Sequence, residues 1–167
     1  GIEISGSGHI LLFAGETAEA TVADITLNAS VASTGGSVSL MAKDGIVQSA
    51  AGDVATAGGT ADVKADGSIG MADGALTKTA GGHIRYEAVA GNIALGELNA
   101  GAGKAAVIAA GSILDLAVDT SAVDLTAGDL IIKAGAAIGE PGNPIETTAA
   151  NLSTESTTGS TFLSETD

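Results

Sequence analysis

Hydrophobic positions in this chain alternate over short runs, and the runs return at a long fixed interval. After the paired glycines Gly35-Gly36, the residues Val38, Leu40 and Ala42 alternate with Ser39 and Met41, and the same form returns at Ala61, Val63 and Ala65 and at Ile84, Tyr86 and Ala88. Successive side chains of a strand point to opposite faces, so each run predicts a short strand with one buried face. Three units opening at Gly35, Gly58 and Gly81 align over about 22 to 23 residues each, a period typical of solenoid repeats. Within each unit a Gly-led apolar step recurs twice. Gly45, Gly67 and Gly91 precede Ile46, Ile69 and Ile93, while Gly52, Gly74 and Gly96 precede Val54, Leu76 and Leu98.

One unit therefore predicts three strands closing a triangular coil, with coils stacked in parallel and their aliphatic side chains piled into inward columns. In that register the outward residues place Asp62 beside Arg85 and Lys64 beside Glu87, two opposite-charge pairs worth about 0.2 to 1 kcal/mol each. The expected fold is all-β, a right-handed parallel β-helix with three short strands per coil; the hand follows the preference for right-handed parallel crossovers. Glycine suits the corners, which need positive φ or close backbone approach.

The pattern continues less cleanly on both sides. Gly8 to Ala14 has the form of Gly82 to Ala88, and Ile25 to Ala29 predicts another strand. Val123 to Ala127 and Leu130 to Ala134 extend the stack, followed by Gly135 to Gly139. Pro141 and Pro144 place Glu140 to Pro144 in a loop bulging from a corner before a strand at Ile145. Gly159 to Ser164 resembles the opening of a further coil. From Gly103 to Ala122 strict alternation would turn Asp115 inward, so a bulge or corner is expected there. Residues 1–167 read as a single segment of six to seven coils, roughly 30 Å of rise at the inter-strand spacing. The chain starts in mid-pattern at Gly1, the expectation for a piece of a longer polypeptide.

Composition narrows the class further. Of 167 residues 45% are hydrophobic but only 2% aromatic, so the core must consist of thin aliphatic layers. Twenty-five glycines against two prolines favour many tight corners. A formal charge of −14 repels phosphate backbones, which argues against nucleic-acid partners. With no cysteine, disulfides and thiolate metal sites are excluded. The longest apolar stretch, Ala105 to Val118, is broken by Gly111, Ser112 and Asp115, so no membrane insertion is expected.

The Gly-Gly-led coils, with the tail GAAIGEPGNPIETTAANLSTESTTGSTFLSE, resemble the repetitive β-helical passenger regions of filamentous haemagglutinin-like adhesins and other giant bacterial surface proteins, over roughly Gly35 to Asp167. The resemblance implies a secreted or cell-surface location, an elongated shape, and a structural role in adhesion, aggregation or spacing, with a receptor or glycan on a host or cell surface as partner. A self-assembling fibre subunit stacking end to end is the alternative within the structural class, and a carbohydrate-active β-helix enzyme the alternative outside it.

No catalytic, cofactor or metal residues are expected. His9 and His83 share a repeat position, but three coils separate them and Ser37 and Thr60 stand between, so they read as outward turn residues. Asp44, Asp66 and Asp73 lie beside glycines at turns, where calcium finds oxygen ligands; without an EF-hand loop or a nonapeptide repeat they read as turn formers. Asp62, Arg85 and Glu87 cluster as the carboxylates of a carbohydrase would, yet they pair off as neighbours and have no aromatic platform beside them. Gly103-Lys104 lacks the Ser or Thr of a P-loop, whose first glycine position holds Leu98. Asn28-Ala29-Ser30 and Asn151-Leu152-Ser153 fit the glycosylation pattern, which short sequences meet by chance.

Overall fold

The computed structural model describes residues 1–15, 23–116 and 122–166. Among these the secondary structure is all β, a parallel solenoid of about six turns without helices. Each of the first five turns contributes one strand to each of three sides. The third side carries β1 (Ile2–Ile4), β4 (Val31–Ser33), β7 (Val54–Thr56), β10 (Leu76–Thr79) and β13 (Glu97–Asn99). On the first side lie β2 (Ile10–Ala14), β5 (Val38–Ala42), β8 (Ala61–Ala65), β11 (Ile84–Ala88) and β14 (Lys104–Ala109). The second holds β3 (Ile25–Leu27), β6 (Ile46–Gln48), β9 (Ile69–Met71), β12 (Ile93–Leu95) and β15 (Ile113–Asp115). Every pairing between named strands is parallel and joins a strand to its equivalent one turn away.

The inward columns are those the alternation predicts on the first two sides. Val38 pairs with Ala61 and Ala61 with Ile84; Leu40, Val63 and Tyr86 follow, then Ala42, Ala65 and Ala88. Ile46, Ile69 and Ile93 stack on the second side. All of these side chains are buried, in one continuous core. Tyr86 is the largest, and its hydroxyl is met inside the core by Thr77 Oγ1 at 2.6 Å and by Gln48 Oε1. Gln48 Nε2 in turn donates to the Gly52 carbonyl at 3.0 Å. Burial lifts the Tyr86 phenol well above its ordinary pKa, so it stays a neutral hydroxyl.

Four expectations need correction. On the third side the residue equivalent to Val54 and Leu98 is Thr77, fully buried, while Leu76 is half-exposed beside Glu97. Gly74 mimics Gly52 and Gly96 in sequence but sits in a tight turn at φ +80°, one residue off their register. Asp115 lies opposite Leu95 in regular β15 and does point inward, without a bulge. The period of 22 to 23 residues holds between Ser37 and Thr60, Asp62 and Arg85, Asp129 and Asn151, and Ile138 and Thr161. Elsewhere it varies: it is 28 from His9 to Ser37, 21 from His83 to Lys104 and 25 from Ser112 to Ala137. Finally, Gly159 to Ser164 is not a coil's opening: Thr161 bridges Ile138 on the second side, and β18 (Leu163–Glu165) pairs with Ile145 to Thr147 on the third.

The last turns also change shape. β16 (Leu125–Ala134) and β17 (Ile145–Ser156) each run through the third and first sides without a break. The paired-glycine corner has lost residues there, and the second side shrinks to the bridges of Ile138 with Ile113 and Thr161. Between Ile138 and β17 the predicted loop is a tight turn. Glu140 and Asn143 exchange both backbone hydrogen bonds around Pro141 and Gly142, the latter at φ +89° as a type II turn requires.

Corners are held by a recurring device. The residue just before an inward position offers a side-chain acceptor to the backbone N–H of its equivalent one turn on. His9 Nδ1 accepts from Ser37, Ser37 Oγ from Thr60, and His83 Nδ1 from Lys104, at 2.9 to 3.1 Å. Ser68, Asn92 and Ser112 do the same along the second side. At the next corner Asp53 accepts from Leu76 and Asp124 from Glu146.

Candidate functional site

Chemically unusual groups gather at the corner between the second and third sides, late in the stack. Asp115 ends β15 facing inward, Asp124 immediately precedes β16, and Glu146 is the second residue of β17. These three consecutive turns bring one oxygen of each carboxylate within 4.8 Å of the others, all three residues buried. The Glu146 amide donates to Asp124 Oδ2 at 2.9 Å, and Asn143 Nδ2 donates to the Asp115 carbonyl at 3.2 Å. A hollow of about 230 Å³ adjoins the group and adds Asp73 and Glu97 to its lining. Carboxylates so close can surround a hard cation or share protons. Burial, aided by the charges of Asp115 and Glu146 and opposed by the Glu146 amide, pushes Asp124 up to about 8, so the group keeps a proton at neutral pH.

The charges anticipated on the first side are also brought together. Arg85 makes a two-pronged contact with Asp62, Nε to Oδ1 at 2.8 Å and Nη2 to Oδ2 at 2.9 Å, and its Nη1 reaches Glu87 Oε2 at 2.7 Å. Lys64 Nζ lies 3.7 Å from Glu87. The Asp62 hydrogen bonds raise the Arg85 pKa further, fixing it as a cation. Beyond them, Lys104 meets Asp129 at 3.2 Å and Asn151 Nδ2 donates to Asp129 Oδ1 at 2.9 Å; the Asn151 bond, then Lys104, hold that carboxyl below its usual range. Both carboxylates of the anticipated cluster are thus committed to one guanidinium, the arrangement of a charge clamp between turns.

The remaining candidates are scattered. His9 and His83 stand three turns apart, each an acceptor in the corner device. Asp66 pairs with Lys43 at 3.5 Å, the Asp44 carbonyl accepts from Gly67, and of the three turn aspartates only Asp73 borders the acidic hollow. Asn28 and Asn151 are both exposed, Asn151 within β17.

No family model, curated protein or solved structure matches the chain. The solenoid therefore rests on its own geometry, and the buried carboxyl group was missed because two of its members come from turns whose alignment by sequence is loose. The one available signal was Asp115, an acidic residue at an inward position of the alternation.

Proposed function

We propose that this chain is a non-catalytic structural rod, part of a secreted or surface-exposed bacterial adhesin-like protein that serves adhesion, aggregation or spacing. The observation that carries this reading is the inward columns, unbroken from turn to turn, with corners tied by side-chain acceptors: a shape that transmits length and stiffness. Two further features support it. The clustered carboxylates on the first side are both held by Arg85 at hydrogen-bond distance, which commits them to an ion pair between turns. Among the described residues the side is a sheet face of three outward columns between short corners, without the long loops that wall a substrate cleft. Length, spacing and display follow from stacking alone.

The test has two arms. Antibody raised against the chain should label intact, unpermeabilised cells of the source bacterium, and in-frame removal of residues 35–103 from the parent gene should reduce attachment or cell aggregation without removing the protein from the surface. Label only in lysed cells would overturn the reading. So would turnover of a polysaccharide by the purified chain that is lost in both Asp62→Ala and Glu87→Ala.

A further inference from the structure

The outward surface of the first side, continued by the later halves of β16 and β17, differs in charge from the rest of the molecule. Five of the six basic residues stand on it or at its rim, and each pairs with an acidic residue: Lys43 with Asp66, Lys64 with Glu87, Arg85 with Asp62, Lys104 with Asp129, Lys133 with Glu155. Five cations against five anions leave this surface balanced, so the whole formal charge of −14 belongs to the remaining residues, among which Lys78 is the single cation. The same surface carries apolar side chains directed at solvent: Leu11 is 63% exposed, Phe13 46% and Ile131 41%, with Met41 and Ile108 partly exposed between them. With the net negative charge on the rest of the rod, a like-charged copy meets no net charge on the balanced side.

We propose that this side docks a second copy of the same chain, face to face and antiparallel along the rod. Consider a two-fold axis running along the strands midway between β8 and β11. It sets each outward column against itself in reverse order. The central charges then oppose one another correctly, Asp62 facing the partner's Arg85 and Lys64 the partner's Glu87. One turn out, Ser39 meets the partner's Ala106 and Met41 the partner's Ile108. Two turns out, Leu11 meets the partner's Ile131, and the Phe13 ring lies opposite the ammonium of the partner's Lys133, a favourable cation–π placement.

The register is specific. Moving the axis onto β11 sets Arg85 against Arg85 and Glu87 against Glu87, and moving it between β11 and β14 buries Asp62 against Ile131. An axis along the rod keeps opposite charges together but places Met41 over Ser39 and Ile131 over Lys133, separating those apolar side chains from apolar partners. Six strands about 4.8 Å apart and about 16 Å long give roughly 500 Å² per copy, near 1,000 Å² in all. That is the range of weak, transient interfaces, so pairing should matter where copies are crowded.

The chain has no cysteine, which makes the register directly testable. Leu11→Cys and Ile131→Cys, both at exposed outward positions, are mixed and treated with a short bis-maleimide. The mixture should yield a cross-linked pair several-fold more efficiently than either variant alone, since identical positions would lie about 24 Å apart. In sedimentation velocity the parent should show a concentration-dependent dimer, and Ile131→Asp should move its midpoint about ten-fold to higher concentration. Sedimentation of the parent independent of concentration into the millimolar range overturns the proposal, as does cross-linking of Leu11→Cys alone at the efficiency of the mixture.

Discussion

A single methyl group separates the two glycines of a corner. A Cβ on Gly82 would lie 2.0 Å from the Gly59 carbonyl oxygen, and on Gly59 2.1 Å from that of Gly36, so the second glycine of each pair is required by contact between turns. The first glycines Gly58 and Gly81, at φ +104° and +88°, have open space but a backbone that L-residues avoid. Gly82→Ala should therefore destabilise by about 3 kcal/mol or more through overpacking, and Gly58→Ala by only about 1 to 2 kcal/mol through strain; urea midpoints with unchanged slopes measure both. Equal losses at the two positions would contradict this division. Inside the core, Tyr86→Phe leaves Gln48 and Thr77 each short of a partner and should cost about 1 to 3 kcal/mol. Adding Gln48→Leu should cost less than the sum of the single changes, which a double-mutant cycle reads directly. This network also explains why Leu76 was misplaced. Hydrophobic periodicity cannot identify an inward threonine whose burial is secured by a tyrosine hydroxyl supplied from the next side.

Among elements, the junction of β15, β16 and β17 carries the clearest pH dependence. Asp124 is held at about 8 in the folded chain against an ordinary 3.8. A value raised by folding means the folded state binds the proton more tightly, so this carboxyl's contribution is complete below about pH 4 and is lost as pH rises through about 8. Asp129 and Glu155, both lowered by their partners, act in the acidic range below that window. The melting temperature should accordingly fall between about pH 4.5 and 8.5, and Asp124→Asn should flatten the fall and melt above the parent at the alkaline end. Circular dichroism at the two pH values decides; a parent whose melting temperature rises over this interval contradicts the assignment. At this scale the sequence was legible where corners repeat their glycines, from Gly35 to Ala109. It became obscure where β16 and β17 absorb a corner, because lost corner residues shift every later column. Glu146 joins Asp115 and Asp124 only after that shift.

For the whole molecule, stacking was readable because it needs only aliphatic residues returning once per turn, and Val38, Ala61 and Ile84 supply them without interruption. Charge distribution was not, since the balance of the first side appears only when all turns are in register. With the net charge concentrated off that side, self-repulsion should weaken on screening. Raising sodium chloride from about 10 to 150 mM shortens the Debye length from about 30 to 8 Å and should raise the melting temperature; a decrease would mean that the ion pairs outweigh the repulsion. The coil stack itself is tested most directly by distances along one outward column. With a nitroxide at Leu11→Cys and a second at Ala106→Cys, Ile131→Cys or Ser153→Cys, in samples diluted with unlabelled protein, pulsed electron resonance should give about 19, 24 and 29 Å, one inter-strand spacing per added turn. Distances that fail to grow in that sequence would contradict the stacked architecture.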